Sequence, residues 1–331
     1  MAGEDRFVRR LIAELPPAAR VLVGPGDDAA VVATEAGLSA VTTDLLVEGV
    51  DFLPSESPEA IGRRAMAVNL SDLAAMGATP ELFLLSIAFR SDRGEAFPLA
   101  IARGALSRAT PLGVALAGGD LSDAPLTVVS IALWGRLEQS PIRRSGARAG
   151  DLLFLSGYPG RAAAGLALAR ARGEGRPCAS GLTASAEAEL LAAYRDPDPR
   201  VALGLHLAGV ASAAIDVSDG LGVDSARLAA ASGVAAVIEE SLLPISPALR
   251  EFARLEGIDA LDLLLSGGDD YELLFAIPRE RAGRLPLDGP GGVAVRRIGQ
   301  IEPGRGAVLR GPSGDRDIAD LGHDHLRAGA P

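Results

Sequence analysis

Acidic residues recur in this sequence where the chain turns or where strands end. Asp27 and Asp28 follow Gly24-Pro25-Gly26, and Asp44, Asp120 and Asp216 close apolar stretches that read as strands. Asp72 sits inside Ala-Val-Asn-Leu-Ser-Asp-Leu-Ala-Ala-Met, a helical stretch. Asp is a poor residue for a helix interior and is seldom buried without a partner. A lone Asp after Gly reads first as a turn or cap. Taken together, these acids ask for a cation, because all 32 basic residues are Arg and few lie near them in sequence. Mg2+ suits such a set: it takes oxygen ligands and bridges one or two carboxylates to substrate phosphates. Thr42, Thr43 and Ser218 could add hydroxyl oxygens. Beside a nucleoside triphosphate, such ions would neutralise the transferring group and hold it in line.

Glycine forms the second pattern. Gly24-Pro-Gly26, Gly118-Gly119 and Gly267-Gly268 each precede Asp and could let backbone amides approach a phosphate. Ser156-Gly-Tyr-Pro-Gly160 opens a helix whose N-terminus could hold an anion, or is a plain tight turn. Arg143 and Arg144 could grip phosphate bidentately or lie idle on the surface.

Composition removes several classes. Without Lys there is no P-loop, no protein-kinase strand Lys and no Schiff base. One cysteine, Cys178, and three histidines leave no internal disulfide and disfavour a zinc site. A net charge of −11 argues against nucleic acid or an anionic membrane as the main partner. The first residues show no basic-then-apolar signal, and no apolar run reaches about 18 residues, so a cytoplasmic protein without a membrane span is expected.

The elements that must position these residues fall into two halves. The first half reads as a helix at 5–15 with Phe7, Leu11, Ile12 and Leu15 on one face, strands at 29–34 and 38–47, and a helix from Ser57-Pro58 to Met76 stopped by Gly77. A strand at 81–89, a helix near 95–109 and strands at 114–117 and 126–137 follow. A polar, Arg-rich stretch at 141–150 reads as a linker. Beyond it come a strand at 151–156, helices at 161–172 and 200–209, a strand at 213–217, a helix near 221–232 and a strand at 271–277. The mixed order predicts an α+β fold of two α/β domains, residues 1–140 and 150–331.

With these residues laid out, the chain resembles the thiamine-monophosphate kinases of the aminoimidazole ribonucleotide synthetase superfamily. The matching strings are GPGDDAAVV at 24–32, TTDLLVEGV at 42–50, AVNLSDLAAMGATP at 67–80 and AGGD at 117–120, then RSGARAGD at 144–151, DVSDGL at 216–221 and SGGDDYELLF at 266–275. The resemblance implies an N-terminal domain that dimerises through its sheet and an ATP and metal site in the cleft between domains. It implies direct phosphoryl transfer from ATP to thiamine monophosphate, with several Mg2+ ions and no catalytic group beyond those that position metal and phosphate. By motif the metal ligands are Asp28, Thr42, Thr43, Asp44, Asp72, Asp120, Asp216 and Asp219, with Asp27 secondary and Asp72 and Asp216 the most critical. Gly119, Asp120, Arg144 and Ser218 would touch ATP. On the acceptor side the sequence departs from the family. Asp51 stands where His is usual, Asp269 replaces a Glu, and His323 stands where an aromatic residue usually precedes Asp-His. Asp51 and Asp269 could still attract a thiazolium, and His323 could stack on a ring. Cys178 as the one cysteine fits neither selenophosphate synthetase nor the carbamoyl-dehydrating hydrogenase maturation factor of the same superfamily.

Overall fold

A computed structural model describes residues 3–14, 19–35, 37–285 and 289–324. The first half contains β1 (Val21–Val23), β2 (Ala30–Thr34), β3 (Gly37–Val47), β4 (Thr79–Phe89), β5 (Ala115–Asp123) and β6 (Val128–Leu137). They form one sheet in the order β1-β2-β3-β6-β4-β5, antiparallel except between β4 and β5. Its helices are α1 (Gly3–Glu14), α2 (Pro58–Met76) and α3 (Ala96–Ala109). Leu15, expected on the first helix, lies outside the described residues.

The second half is a seven-stranded sheet flanked by helices. Its strands are β7 (Leu152–Ser156), β8 (Ala213–Val217), β9 (Ala235–Glu239), β10 (Glu272–Ile277), β11 (Val295–Glu302), β12 (Gly306–Gly311) and β13 (Gly314–Asp317). They run in the order β13-β12-β9-β11-β7-β10-β8, and only β9 and β12 are parallel. The helices are α4 (Arg161–Gly173), α5 (Ala184–Arg195), α6 (Val201–Leu207), α7 (Leu221–Ser232), α8 (Pro247–Glu256) and α9 (Ala260–Ser266). Two mixed sheets with helices packed on them make the fold α+β, as the element order predicts. None of the helices among the described residues is long and apolar enough to cross a membrane.

Helix α2 joins the halves. The Ser57 hydroxyl accepts from the Ala60 amide, Pro58 takes the first helical position, and Gly77 ends the helix at φ 69°. Of its 19 residues, 15 are buried. A helix apolar on nearly every side belongs inside a protein rather than on its surface. One core joins Met66, Leu70 and Leu73 of α2 to Phe83 and Ile131 of the first sheet, and to Leu203 of α6 and Phe275 of β10. Glycine sets the spacing. A Cβ at Gly62 would lie 1.9 Å from the Ile101 carbonyl oxygen on α3, and one at Gly204 of α6 would lie 2.0 Å from that of Ala74.

Two expectations need correction. The strand expected at 114–117 continues to Asp123, so Gly118-Gly119-Asp120 lies inside an edge strand rather than in a turn. A Cβ at Gly119 would fall 1.8 Å from the Leu85 carbonyl oxygen, so these glycines permit close pairing with β4. The stretch at 141–150 is pinned between the halves. The Ile142 amide donates to Met76, the Ala214 amide donates to Arg143, and the Ser232 hydroxyl donates to the Arg144 carbonyl.

Overpacking the α2–α3 contact should therefore be felt globally. Gly62→Ala is expected to lower stability by about 1–3 kcal/mol, read as a shift in the denaturant midpoint. An unchanged midpoint would show that glycine does not set this spacing.

Candidate active site

Three carboxylates from three distant parts of the chain meet between the halves. Asp28 follows the Gly24–Gly26 turn, Asp72 lies on α2, and Asp216 is near the end of β8. One oxygen of each lies within 4.8 Å of the others. Asp28 and Asp216 are buried, and Asp72 is half-buried. Asp44, on the inner face of β3, adjoins Asp72. Buried oxygens Oδ2 of Asp28 and Oδ2 of Asp44 have no hydrogen-bond partner.

Neighbouring polar groups hold these acids in place. Thr42 Oγ1 donates to Asp72 Oδ2 at 2.5 Å. Ser71 Oγ donates to Asp216 Oδ2 at 2.6 Å, tying α2 to β8. The Asp44 amide donates to Asn69 Oδ1 at 3.2 Å, and Asn69 Nδ2 donates to the Ala65 carbonyl at 2.9 Å. Arg144, from the pinned linker, places Nη2 2.7 Å and Nε 3.1 Å from Asp28 Oδ1. The linker Arg thus supplies a basic partner that sequence proximity does not reveal.

The electrostatics follow from burial. Loss of solvent, then repulsion by Asp44, Asp216 and Asp28, pushes Asp72 well above the usual carboxylate range. Burial, then Asp28, does the same to Asp216. Asp44 is pushed up to about 6, by burial above all and then by Asp51, with the hydrogen bond to Asp72 opposing. Asp27 also rises to about 6, through burial and then Asp28. Dense oxygen donors that repel one another when ionised, two of them with unpartnered buried oxygens, fit a hard divalent cation such as Mg2+.

The DVSDG turn is built differently from its appearance in sequence. The amides of Ser218, Asp219 and Gly220 all donate to Asp224 Oδ2, at 3.1, 3.0 and 3.2 Å. Arg227 binds Asp224 Oδ1 at 2.9 Å and also pairs with Asp219. These amides are therefore taken up by the protein's own carboxylate. Burial, then Asp219, pushes Asp224 up to about 7. The Gly267 amide is likewise engaged within the protein. Gly267 donates to Leu263 and Asp269 to Ser218, and Gly268 leaves no room for a Cβ, which would sit 2.5 Å from the Ser218 carbonyl oxygen. At the N-terminus of α4 the place of an anion is taken by the Asp270 carboxyl group, which accepts from Gly160 and Ala162 at 2.6 and 3.2 Å.

The acceptor-side candidates border this cluster. Asp51 Oδ2 accepts from the Val47 amide at 2.7 Å, close enough to Asp44 to raise its pKa. The His323 amide donates to the Asp219 carbonyl at 2.8 Å, and its side chain is exposed. Asp269 pairs with Arg64 at 2.6 Å. Two candidates lie elsewhere. The Thr43 side chain points to the outer face of the sheet and donates to the Ile131 carbonyl at 3.0 Å. Asp120 is exposed on β5, and pairing places it in a row with Leu45, Ser130 and Ser86 on that outer face. Three strand spacings, about 14 Å, separate it from β3.

The chain's likeness to known proteins coincides with this geometry. Residues 26–137 match AIR synthase related protein, N-terminal domain, and residues 148–311 match AIR synthase related protein, C-terminal domain. A thiamine-monophosphate kinase of Rhodopirellula baltica is 37% identical over 89% of this chain and 87% of its own length. That of Pyrococcus abyssi is 33% identical over 92% and 91%. The chain belongs to the thiamine-monophosphate kinase family. Among solved structures of that family, AaThiL complexed with AMPPCP and TMP superposes with a TM-score of 0.84 at 30% identity, covering 98% of this chain and 96% of that one.

Sequence reasoning missed Ser71, Asn69, Asp224, Arg227 and Arg64. Ser71 and Asn69 carried a signal, since they are polar in the same apolar stretch as Asp72. Asp224 carried a weaker one, as an acid inside Leu-Gly-Val-Asp-Ser.

Raised carboxylate pKa values give a signed pH dependence. Such an acid binds its proton more tightly when folded, so the protonated fold is favoured and that stability is lost as pH rises through the folded pKa. For Asp44 the loss runs from the ordinary 3.8 to above about 6. The metal-free unfolding midpoint should fall between about pH 5 and about pH 8, and Mg2+ should raise it more at the higher pH. Asp72→Asn should raise the metal-free midpoint by roughly 2–5 °C and remove most of the Mg2+ effect. A midpoint indifferent to Mg2+ at both pH values would contradict a cation site.

Proposed function

We propose that the protein transfers the γ-phosphoryl group of ATP directly to thiamine monophosphate, yielding ADP and thiamine diphosphate. The observation that carries this is the packed set of Asp28, Asp44, Asp72 and Asp216, with two buried oxygens left without partners. The cluster is unfavourable by itself and suited to a phosphate-bound cation. Mg2+ held by Asp28, Asp44, Asp72, Asp216 and Thr42 would offset the negative charge of the triphosphate.

The chain's own groups supply position. Ser71 and Thr42 orient Asp216 and Asp72 through the hydroxyl contacts described above. Asn69 fixes the β3 backbone at Asp44. Arg144 neutralises Asp28, and its partly exposed guanidinium could be shared with a phosphate oxygen. Asp224 and Arg227 stiffen the turn carrying Ser218 and Asp219. A phosphate oxygen of thiamine monophosphate attacks the γ-phosphorus as the bond to the ADP oxygen breaks. No side chain takes the phosphoryl group.

Asp51, Asp269 and His323 line the acceptor side, and Gly119, Asp120 and Ser218 are assigned to ATP by family likeness. Thr43 and Asp120 point away from the cluster and have no part in it within one chain. The same reading includes a homodimer through the outer face of the six-stranded sheet, where Leu45, Leu82 and Leu84 are exposed. A cytoplasmic setting, which supplies ATP and magnesium, suits the reaction.

The test is turnover with ATP and Mg2+, using thiamine monophosphate and free thiamine as parallel acceptors and following thiamine diphosphate by mass. Product from the monophosphate alone is expected, and Asp72→Asn should reduce kcat by at least about 100-fold. ATP binding without product from either acceptor would contradict the assignment.

A further inference from the structure

Arg64 lies eight residues before Asp72 on α2 and is 3% exposed. A guanidinium this deep must be paired. Nη2 lies 2.6 Å from Asp269 Oδ1, and Nη1 donates to the Tyr194 carbonyl at 2.6 Å. Its carbon lies 5.1 Å from the centre of the Tyr194 ring. The same Asp269 oxygen also accepts from the Tyr271 hydroxyl at 3.1 Å.

The backbone here is unusual. Asp269 has φ 70° and Tyr271 has φ 51°, a region that residues other than Gly seldom occupy. Surrounding structure must hold such a conformation in place. Their amides donate to Ser218 and Val217 at 2.7 and 2.8 Å, which docks the loop on the strand end that carries Asp216. Tyr271 is 8% exposed, and burial above all, then Asp269, pushes its hydroxyl well above its usual range, with Asp44 and Asp216 adding to the effect. Arg64, Asp269 and Tyr271 thus form one unit that joins α2, which carries Asp72, to the loop docked on the end of β8.

This arrangement bears on how a cationic acceptor is recognised. A carboxylate paired with a guanidinium at 2.6 Å is close to neutral as a unit, and its pull on a third charge is weak. We infer that Asp269 is a positioning residue, neutralised by Arg64, which sets Tyr271 between the carboxylate cluster and the acceptor, and that it does not recognise the acceptor's positive charge. The inference rests on the function proposed above.

Steady-state kinetics distinguish the alternatives. KM for thiamine monophosphate and KM for ATP would be measured separately for Arg64→Gln, Arg64→Lys, Asp269→Asn, Tyr271→Phe and the Arg64→Gln/Asp269→Asn double variant. The positioning role predicts that Arg64→Gln and Asp269→Asn each raise the acceptor KM by at least about tenfold, with the ATP KM within about twofold. Tyr271→Phe should shift the same constant in the same direction, Arg64→Lys should restore part of the loss, and the double variant should be no worse than the poorer single one. The inference is overturned if Asp269→Asn raises the acceptor KM while Arg64→Gln lowers it or leaves it unchanged, because removing a competing cation strengthens direct attraction. Equal movement of both KM values would also overturn it, since that marks general disruption.

Should Arg64→Gln fail to fold, inhibition of wild type and Asp269→Asn by cationic and uncharged acceptor analogues decides the matter. An unchanged ratio between the analogues supports positioning, and a ratio that collapses in Asp269→Asn refutes it. A wild-type protein that binds ATP but makes no thiamine diphosphate counts against the proposed function. The Arg64–Asp269–Tyr271 unit is then tested by thermal double-mutant cycles, where additive single changes would refute it.

Discussion

Carboxylates packed within 4.8 Å of one another are the constraint on which this structure turns. Each ionised pair at that separation repels by at least about 3 kcal/mol at an effective dielectric constant near 20. Apolar packing alone would not bring such groups together. The fold opposes the repulsion with a helix buried on nearly all sides, held at backbone contact distance by glycine at 62 and 204. The first sheet, α2 and the second sheet each contribute at least one acid, so neither half of the chain makes the cluster alone.

The surrounding charges are not distributed evenly. Arg144 neutralises Asp28, Arg227 neutralises Asp219 and part of Asp224, and Arg64 neutralises Asp269. Asp72 and Asp216 are instead met by the hydroxyls of Thr42 and Ser71, and Asp44 by its neighbour Asp72. Hydroxyl donors can fix the direction of a carboxylate without cancelling its charge, which leaves that charge for a cation. Arg64 and Arg227 fix the surrounding loops, and of these three arginines only Arg144 reaches a member of the cluster, Asp28. On the function proposed above, a divalent cation arriving with the nucleotide would let a chain of net charge −11 bind a triphosphate.

Much of this was legible in the sequence. The Ser57-Pro58 start and Gly77 stop of α2 follow from capping chemistry, and Asp72 stood out because Asp is ill suited to an apolar helix interior. The ends of β3, β8 and β10 lie within a residue or two of the alternation read from sequence. Gly118-Gly119 misled because glycine marks both turns and close strand pairing, and only the neighbouring strand decides which. The partners of the acids were not legible at all. Arg144 meets Asp28 across 116 residues, Ser71 meets Asp216 across 145, and Arg64 meets Asp269 through the docking of a loop onto β8. Strands β9, β11, β12 and β13 of the second half were not read from the sequence.

On the function proposed above, the acidic cluster would bind nucleotide only through a divalent cation. Calorimetric titration of the purified protein with a non-hydrolysable ATP analogue, in Mg2+ and then in EDTA, tests it most directly. Tight binding is expected in Mg2+ and a loss of at least about 100-fold in EDTA, since uncompensated carboxylates repel the triphosphate. Equal affinity in both buffers would contradict it.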